Sequence, residues 1–176
     1  MIYSTGSTHL LSAILTKATR KSTFDFARDA LARPLGITLR PWPRDPQGIY
    51  FGGNDMLMTP RDMVTIGELY LNGGRHGDLQ IVSDAWVRES IVPRTRSSFS
   101  RREYGYGWWL RTLAEYPVFY AWGYGGQFIF VVPDLRTVVV TTSVSDPGSE
   151  RREHLNAVYD LVETAVIPVV AERGNR

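Results

Sequence analysis

The apolar residues of this chain change their spacing near residue 104 and return to a helical repeat near residue 152, and that order limits the fold to a few arrangements. Before the first change, apolar side chains recur at helical intervals. Residues 7–20 place Leu10, Leu11, Ile14 and Leu15 on a helical repeat. A second helix is expected from Ser22, with Phe24, Phe26, Ala27, Ala30 and Leu31, and Pro34 stops it. Pro41, Pro43, Pro46 and Gly48 mark a loop. Thr59-Pro60-Arg61-Asp62 then announces a third helix, with Thr59 as N-cap, Pro60 in the first turn and Asp62 three residues after the cap. Met63, Ile66, Leu69 and Tyr70 would form its buried face, and Asn72-Gly73-Gly74 its end. Residues 79–82 are short and apolar, and Ser83 opens a further short helix.

Beyond residue 104 the pattern is that of strands. Residues 104–110 are aromatic and Gly-rich and read as one strand. Residues 127–132 and 137–143 are β-branched runs joined by Pro133-Asp134-Leu135-Arg136, a hairpin with a four-residue turn. A last helix is expected over residues 152–170, with Leu155, Val158, Leu161, Val162 and Ala165 on one face. Helices, then an antiparallel β-hairpin sheet, then a C-terminal helix make an α+β order.

Composition excludes several function classes. With 176 residues, one domain is the default. The net charge is only +2, and the pairs Arg101-Arg102 and Arg151-Arg152 are too short to track phosphates, so no nucleic acid is expected as partner. There is no cysteine, which removes disulfides, zinc–thiolate sites and a Cys nucleophile. His9, His76 and His154 lie on three different elements without ligand spacing, so neither a metal nor another cofactor is expected. The start shows no signal-peptide pattern and no apolar run is long enough to span a bilayer. As it stands the chain is expected in the cytoplasm, whereas the compartment of any longer parent stays open, export included.

Three stretches stand out together: Tyr3-Ser4-Thr5-Gly6-Ser7-Thr8-His9-Leu10-Leu11, then Gly52-Gly53-Asn54-Asp55 running through Thr59-Pro60-Arg61-Asp62 to Asn72-Gly73-Gly74, then Tyr104-Gly105-Tyr106-Gly107-Trp108-Trp109 followed by Gly123-Tyr124-Gly125-Gly126-Gln127 and the hairpin. Their order and spacing resemble the β-lactamase-related serine hydrolases, a family that includes class C β-lactamases, penicillin-binding-protein-like esterases and 6-aminohexanoate-dimer hydrolases. The resemblance covers nearly the whole chain. It implies that residues 1–176 form a single partial domain of the β-lactamase/transpeptidase-like fold.

In that family the Ser of a Ser-x-x-Lys motif attacks a carbonyl, and the Lys and a Tyr from a Tyr-x-Asn motif manage protons. Tyr3 matches that Tyr. A phenol is a poor base at neutral pH and needs a nearby cation, which the motif Lys supplies. Thr5 stands where Asn is usual, with one short hydroxyl in place of an acceptor and two donors. Tyr124-Gly125-Gly126 occupies the third motif, elsewhere Lys-Thr-Gly or His-x-Gly on an edge strand, so the motif itself carries no cation for a substrate carboxylate. Its glycines fit close approach by a substrate. By the resemblance, the Gln127 backbone N–H is one oxyanion donor and the nucleophile's own N–H the other.

That nucleophile is not in this sequence. Lys17 and Lys21 are the only lysines; Ile14 stands three before the first and Ala18 three before the second. The resemblance places the Ser-x-x-Lys helix and the first sheet strands upstream of Tyr3, so the N-terminal half of the family fold is expected to be absent. A separate N-terminal fragment would have to supply it, and the substrate would be a small ester or amide. Thr5 and the uncharged third motif favour ester or amide hydrolysis over β-lactam hydrolysis.

Each residue also has a plainer reading. Tyr3 so near the chain start reads equally as a frayed terminus. Gly125-Gly126 before a strand is an ordinary turn signal. Asn54 and Asp55 fit either a cleft lining or a turn before the capped helix. Trp108, Trp109 and Trp122 suit core or cleft wall better than a sugar-stacking platform. Two alternatives to a catalytic share stay open at this point: a non-catalytic binding or interaction module that reuses the cleft, and a truncated gene remnant or misplaced start.

Overall fold

The computed structural model describes residues 1–144 and 148–174. Helix α1 (Thr5–Thr19) starts two residues before the expected point, because the Ser4 hydroxyl accepts the Ser7 N–H at 3.3 Å. Its helical spacing is as expected, but its apolar stripe faces outward: Leu10, Leu11 and Ile14 are each more than 60% exposed. The inward side is polar. Ser12 is buried, donates to the Tyr50 carbonyl at 2.7 Å and bonds the Thr23 hydroxyl. Helix α2 (Thr23–Ala27) is capped by Ser22, runs on through one π-helical turn (Arg28–Ala32) and ends before Pro34. The loop that follows is held by Trp42 and Tyr50, which pack on Phe24.

Helix α3 (Pro60–Leu71) carries the expected reciprocal cap. The Asp62 N–H donates to the Thr59 hydroxyl, and the Thr59 N–H to the Asp62 carboxylate at 3.1 Å. Met63, Ile66 and Tyr70 lie on the sheet, and a Cβ at Gly67 would stand 2.5 Å from Val138, so glycine lets the helix settle close. A small hairpin follows, β1 (Arg75–His76) with β2 (Leu79–Gln80), then α4 (Asp84–Ser90), capped by Ser83.

The main sheet is a six-stranded antiparallel meander in chain order: β3 (Thr95–Arg96), β4 (Glu103–Tyr104), β5 (Trp109–Leu113), β6 (Tyr116–Gly123), β7 (Gln127–Val132) and β8 (Thr137–Thr141). The expected hairpin is β7–β8, joined by a single 3₁₀ turn over Pro133–Leu135. Two points differ from the sequence reading. The run 104–110 is not one strand: Tyr104 faces Trp109 across a turn, closed by the Gly105 N–H on the Trp108 carbonyl at 2.8 Å, with Gly107 at φ 90°. Positive φ favours glycine, so the chain reverses there. The second difference is β6, a strand that the pattern of residues did not single out.

Both faces of the sheet are covered. Tyr120, Phe128, Phe130 and Val132 point to the C-terminal helices, and Phe119, Ile129 and Val131 to α3. This burial on both sides makes β7 a continuous apolar run instead of an alternating one. The C-terminal segment is α5 (Arg151–Leu161), a π-helical turn (Val162–Val166) and α6 (Ile167–Gly174). Leu155, Val158 and Val162 are buried as expected, whereas Leu161 and Ala165 are exposed and Tyr159 and Ile167 take their place. The wide turn holds one extra residue, so the core-facing position after Val162 falls five residues on. It ends two residues before Pro168, which has no N–H to give to a regular helix. No described helix is long and apolar enough to cross a membrane.

Candidate active site

Tyr3 is linked to the β6–β7 turn through adjoining aromatic rings, and Thr5 is placed against the loop at Gly52 and Gly53. Tyr3 lies just before α1, half exposed, with its ring centroid 5.8 Å from that of Trp109 and 6.3 Å from that of Tyr104. Trp109 in turn stands 5.7 Å from Trp122, one residue before the end of β6. An aromatic chain therefore links Tyr3 to the β6–β7 turn. Burial pushes the Tyr104 phenol up, with a smaller push from Tyr3. Among the described residues no cation stacks on Tyr3. Lys17 is twelve positions beyond Thr5 on α1, about 18 Å along the axis.

β6 is paired on both sides for most of its length. The last β5–β6 pair is Trp109 with Tyr120, however, and residues 121–123 continue past it. Their β5-facing side has no ladder partner among the described residues. So the segment before Tyr124 is an edge only locally, at the end nearest Tyr3. An extended substrate backbone could pair there, as on any free strand edge.

In the turn itself Gly125 and Gly126 have φ 80° and 101°, a conformation that favours glycine. Tyr124 is exposed, and the Arg151 guanidinium sits 4.3 Å from its ring centroid. The close approach at Gly126 is made by the chain itself: a Cβ there would lie 3.0 Å from both His154 Nε2 and Ser143 Oγ. The Gln127 side chain is occupied as well. Its Nε2 donates to the Ser143 carbonyl at 2.6 Å and its Oε1 accepts the Ser143 N–H at 3.1 Å, which ties the start of β7 to the chain beyond β8. Its backbone faces Gly123 at the mouth of the hairpin.

Thr5 opens α1 beside a tight glycine contact. A Cβ at Gly52 would meet the Thr8 carbonyl oxygen at 2.1 Å, and one at Gly53 the Thr8 hydroxyl at 2.1 Å and the Thr5 methyl at 3.4 Å. That contact brings Asn54 and Asp55 to the start of α1. They form an exposed turn, joined at 2.7 Å, with Asp55 at φ 65°.

Two residues at this end were not read as functional from sequence. Arg151 and His154 stand three apart at the start of α5 and bring positive or protonatable groups to a turn whose own motif has none. Arg151 Nε and His154 Nε2 are both buried without a hydrogen-bond partner among the described residues. Their helical spacing was the available signal. The other histidines lie elsewhere. His9 Nε2 pairs with Asp45 at 2.9 Å, and His76 is in the β1–β2 hairpin. Among the described residues no group of three potential metal ligands occurs.

A family model described as Beta-lactamase matches residues 1–163. No curated protein matches the chain. Among solved structures, a protein described as a 6-aminohexanoate-dimer hydrolase from Bacillus anthracis superposes with TM-score 0.78 at 22% identity, over 98% of this chain and 44% of that one. A beta-lactamase from Mycobacterium bovis gives TM-score 0.70 at 19% identity, over 91% of this chain and 62% of that one. An octameric penicillin-binding protein homologue from Pyrococcus abyssi gives 0.65 at 18%, over 91% and 41%. The chain thus spans less than two thirds of each of these structures.

Proposed function

The chain belongs to the Beta-lactamase family, and from that premise we propose that it carries the C-terminal share of a serine hydrolase whose nucleophile lies outside these 176 residues. The observation that carries the reading is a pairing. Tyr3 and the partner-free edge at residues 121–123 stand at one end of the sheet, while no Ser-x-x-Lys occurs anywhere in the sequence.

In the complete reaction a serine oxygen adds to an ester or amide carbonyl, and the hydroxyl proton passes to the acid–base pair. The C–O or C–N bond then breaks, and the departing alcohol or amine takes that proton. Water attacks the acyl-serine, releases the acid and returns a proton to the serine. Tyr3 is the proton carrier of this chain, and the Gln127 N–H is its oxyanion donor. Thr5 and Tyr124 line the substrate's path, with Gly125 and Gly126 shaping the turn. Thr5 lacks the reach of an Asn amide, which favours a plain ester or amide over a β-lactam. Arg151, beside Tyr124, offers a carboxylate of the substrate the charge that the motif lacks.

Hydrolysis of p-nitrophenyl acetate and butyrate tests the reading, with the purified chain beside a Tyr3→Phe variant. We expect no turnover above that of the variant. Turnover that Tyr3→Phe abolishes would overturn it, because another residue of the chain would then be the nucleophile. Labelling by a fluorophosphonate would identify that residue.

A further inference from the structure

A second cluster, on the face of the sheet under the C-terminal helices, has unmet polar demands. The guanidiniums of Arg102 and Arg111 each stand 4.5 Å from the ring centroid of Tyr159, and that of Arg102 also 5.2 Å from Trp122. Both arginines are half-buried, and neither is in an ion pair among the described residues. Beside them the hydroxyls of Tyr120 and Tyr159 are buried close to each other and to Arg102, yet neither makes a hydrogen bond of good geometry among the described residues. A buried hydroxyl without a well-formed hydrogen bond costs free energy, and a strong acceptor placed among these hydroxyls and guanidiniums would relieve that cost.

The surroundings have the same sign. A cleft of about 790 Å³ is lined by Arg96, Arg101, Arg102 and Arg111, while Tyr120 and Tyr159 do not themselves line it. Its one acidic lining residue, Glu103, is already paired with Arg96 at 3.0 Å. Burial pushes both phenols up, so they keep their protons at neutral pH and serve as donors. Arginine forks and hydroxyl donors are the groups that hold planar or tetrahedral oxyanions. A guanidinium lifting off the face of Tyr159 would open the hydroxyls to the cleft.

We propose that Arg102, Arg111, Tyr120 and Tyr159 form a binding site for a doubly charged oxyanion, a small dicarboxylate or a phosphate. The site adjoins the candidate catalytic end at Trp122 but does not depend on that assignment. Two unpaired guanidiniums match two negative charges, and the hydroxyls supply the neutral donors.

The test is calorimetric titration with succinate and, separately, with inorganic phosphate, against sodium chloride at equal ionic strength. The side-chain Nε–H signals of Arg102 and Arg111 are followed by NMR. We expect one of the two anions to bind saturably, which fixes the ligand class, and to move both signals. Arg111→Met should weaken binding at least about tenfold. Tyr159→Phe removes only a hydroxyl, so it should also weaken binding and leave the ligand-free protein as stable as before or more so. No saturable binding of either anion, an equal response to chloride, or binding unchanged in both variants would overturn the proposal.

Discussion

At the scale of single residues, the site depends on how closely two segments can approach. Gly52 and Gly53 lie on the first turns of α1, each with a Thr8 oxygen where a side chain would begin. The two neighbours differ in freedom. The obstacle at Gly52 is a backbone carbonyl, fixed by the helix, and the one at Gly53 is a rotatable hydroxyl. Gly52→Ala should therefore lower stability in urea unfolding by about 1–3 kcal/mol, as overpacking does, and Gly53→Ala by clearly less. Equal effects would mean that the loop yields as readily at either point. From sequence, these glycines are visible as a pair but not what they touch. Tyr3 and Gln127 stand out in the sequence by their place in a motif, whereas Arg151 and His154 do not, because they lie beside a turn 25 or more residues earlier in the chain.

At the scale of elements, legibility follows local chemistry. The third helix could be read to the residue at its start, since Thr59, Pro60 and Asp62 act within one turn. The β7–β8 hairpin was equally plain. β6 was not, because Pro117 and the mixed residues of 116–123 make sense only between two neighbours. The outward stripe of α1 could be seen as a stripe, but its direction is set by Tyr50 and Thr23. β8 forms the far side of the sheet and has no strand partner beyond it among the described residues. Its residues, Thr-Val-Val-Val-Thr, carry neither charge nor proline. Such an edge recruits another strand. We expect sedimentation velocity to show self-association that grows with concentration, and Thr137→Lys to shift the chain toward monomer. Identical distributions for the two proteins would clear β8 of that role.

At the scale of the whole molecule, the helical layer built on α1 and α2 responds to acid. Hydrogen bonds from Arg28 and then Lys21 hold the Asp29 carboxyl at about 2. Burial opposes ionisation of Asp45, but His9 and the N–H groups of Ile49 and Gln47 outweigh it and keep its carboxyl below the usual range. Both groups ionise more readily folded than unfolded, where a carboxyl titrates near about 4. Their stabilisation is therefore full above about pH 4 and is lost as pH falls toward 2. The urea midpoint should drop over that window, and the Asp29→Asn, Asp45→Asn double variant should drop less steeply. A slope that the double variant leaves unchanged would place the acid sensitivity elsewhere.

The wide turn at Val162–Val166 has a consequence for the length of the chain. Since Ile167 reaches the core five residues after Val162, the helix contains a spare link. Thr164 and Ala165 both face outward, whereas Glu163 accepts the Ala114 N–H. Dropping Thr164 or Ala165 would tighten the coil to its ordinary gauge and leave Ile167 aimed where it is. The tail of this molecule can thus shorten by one residue without turning, a slack that the regular helix before it does not have.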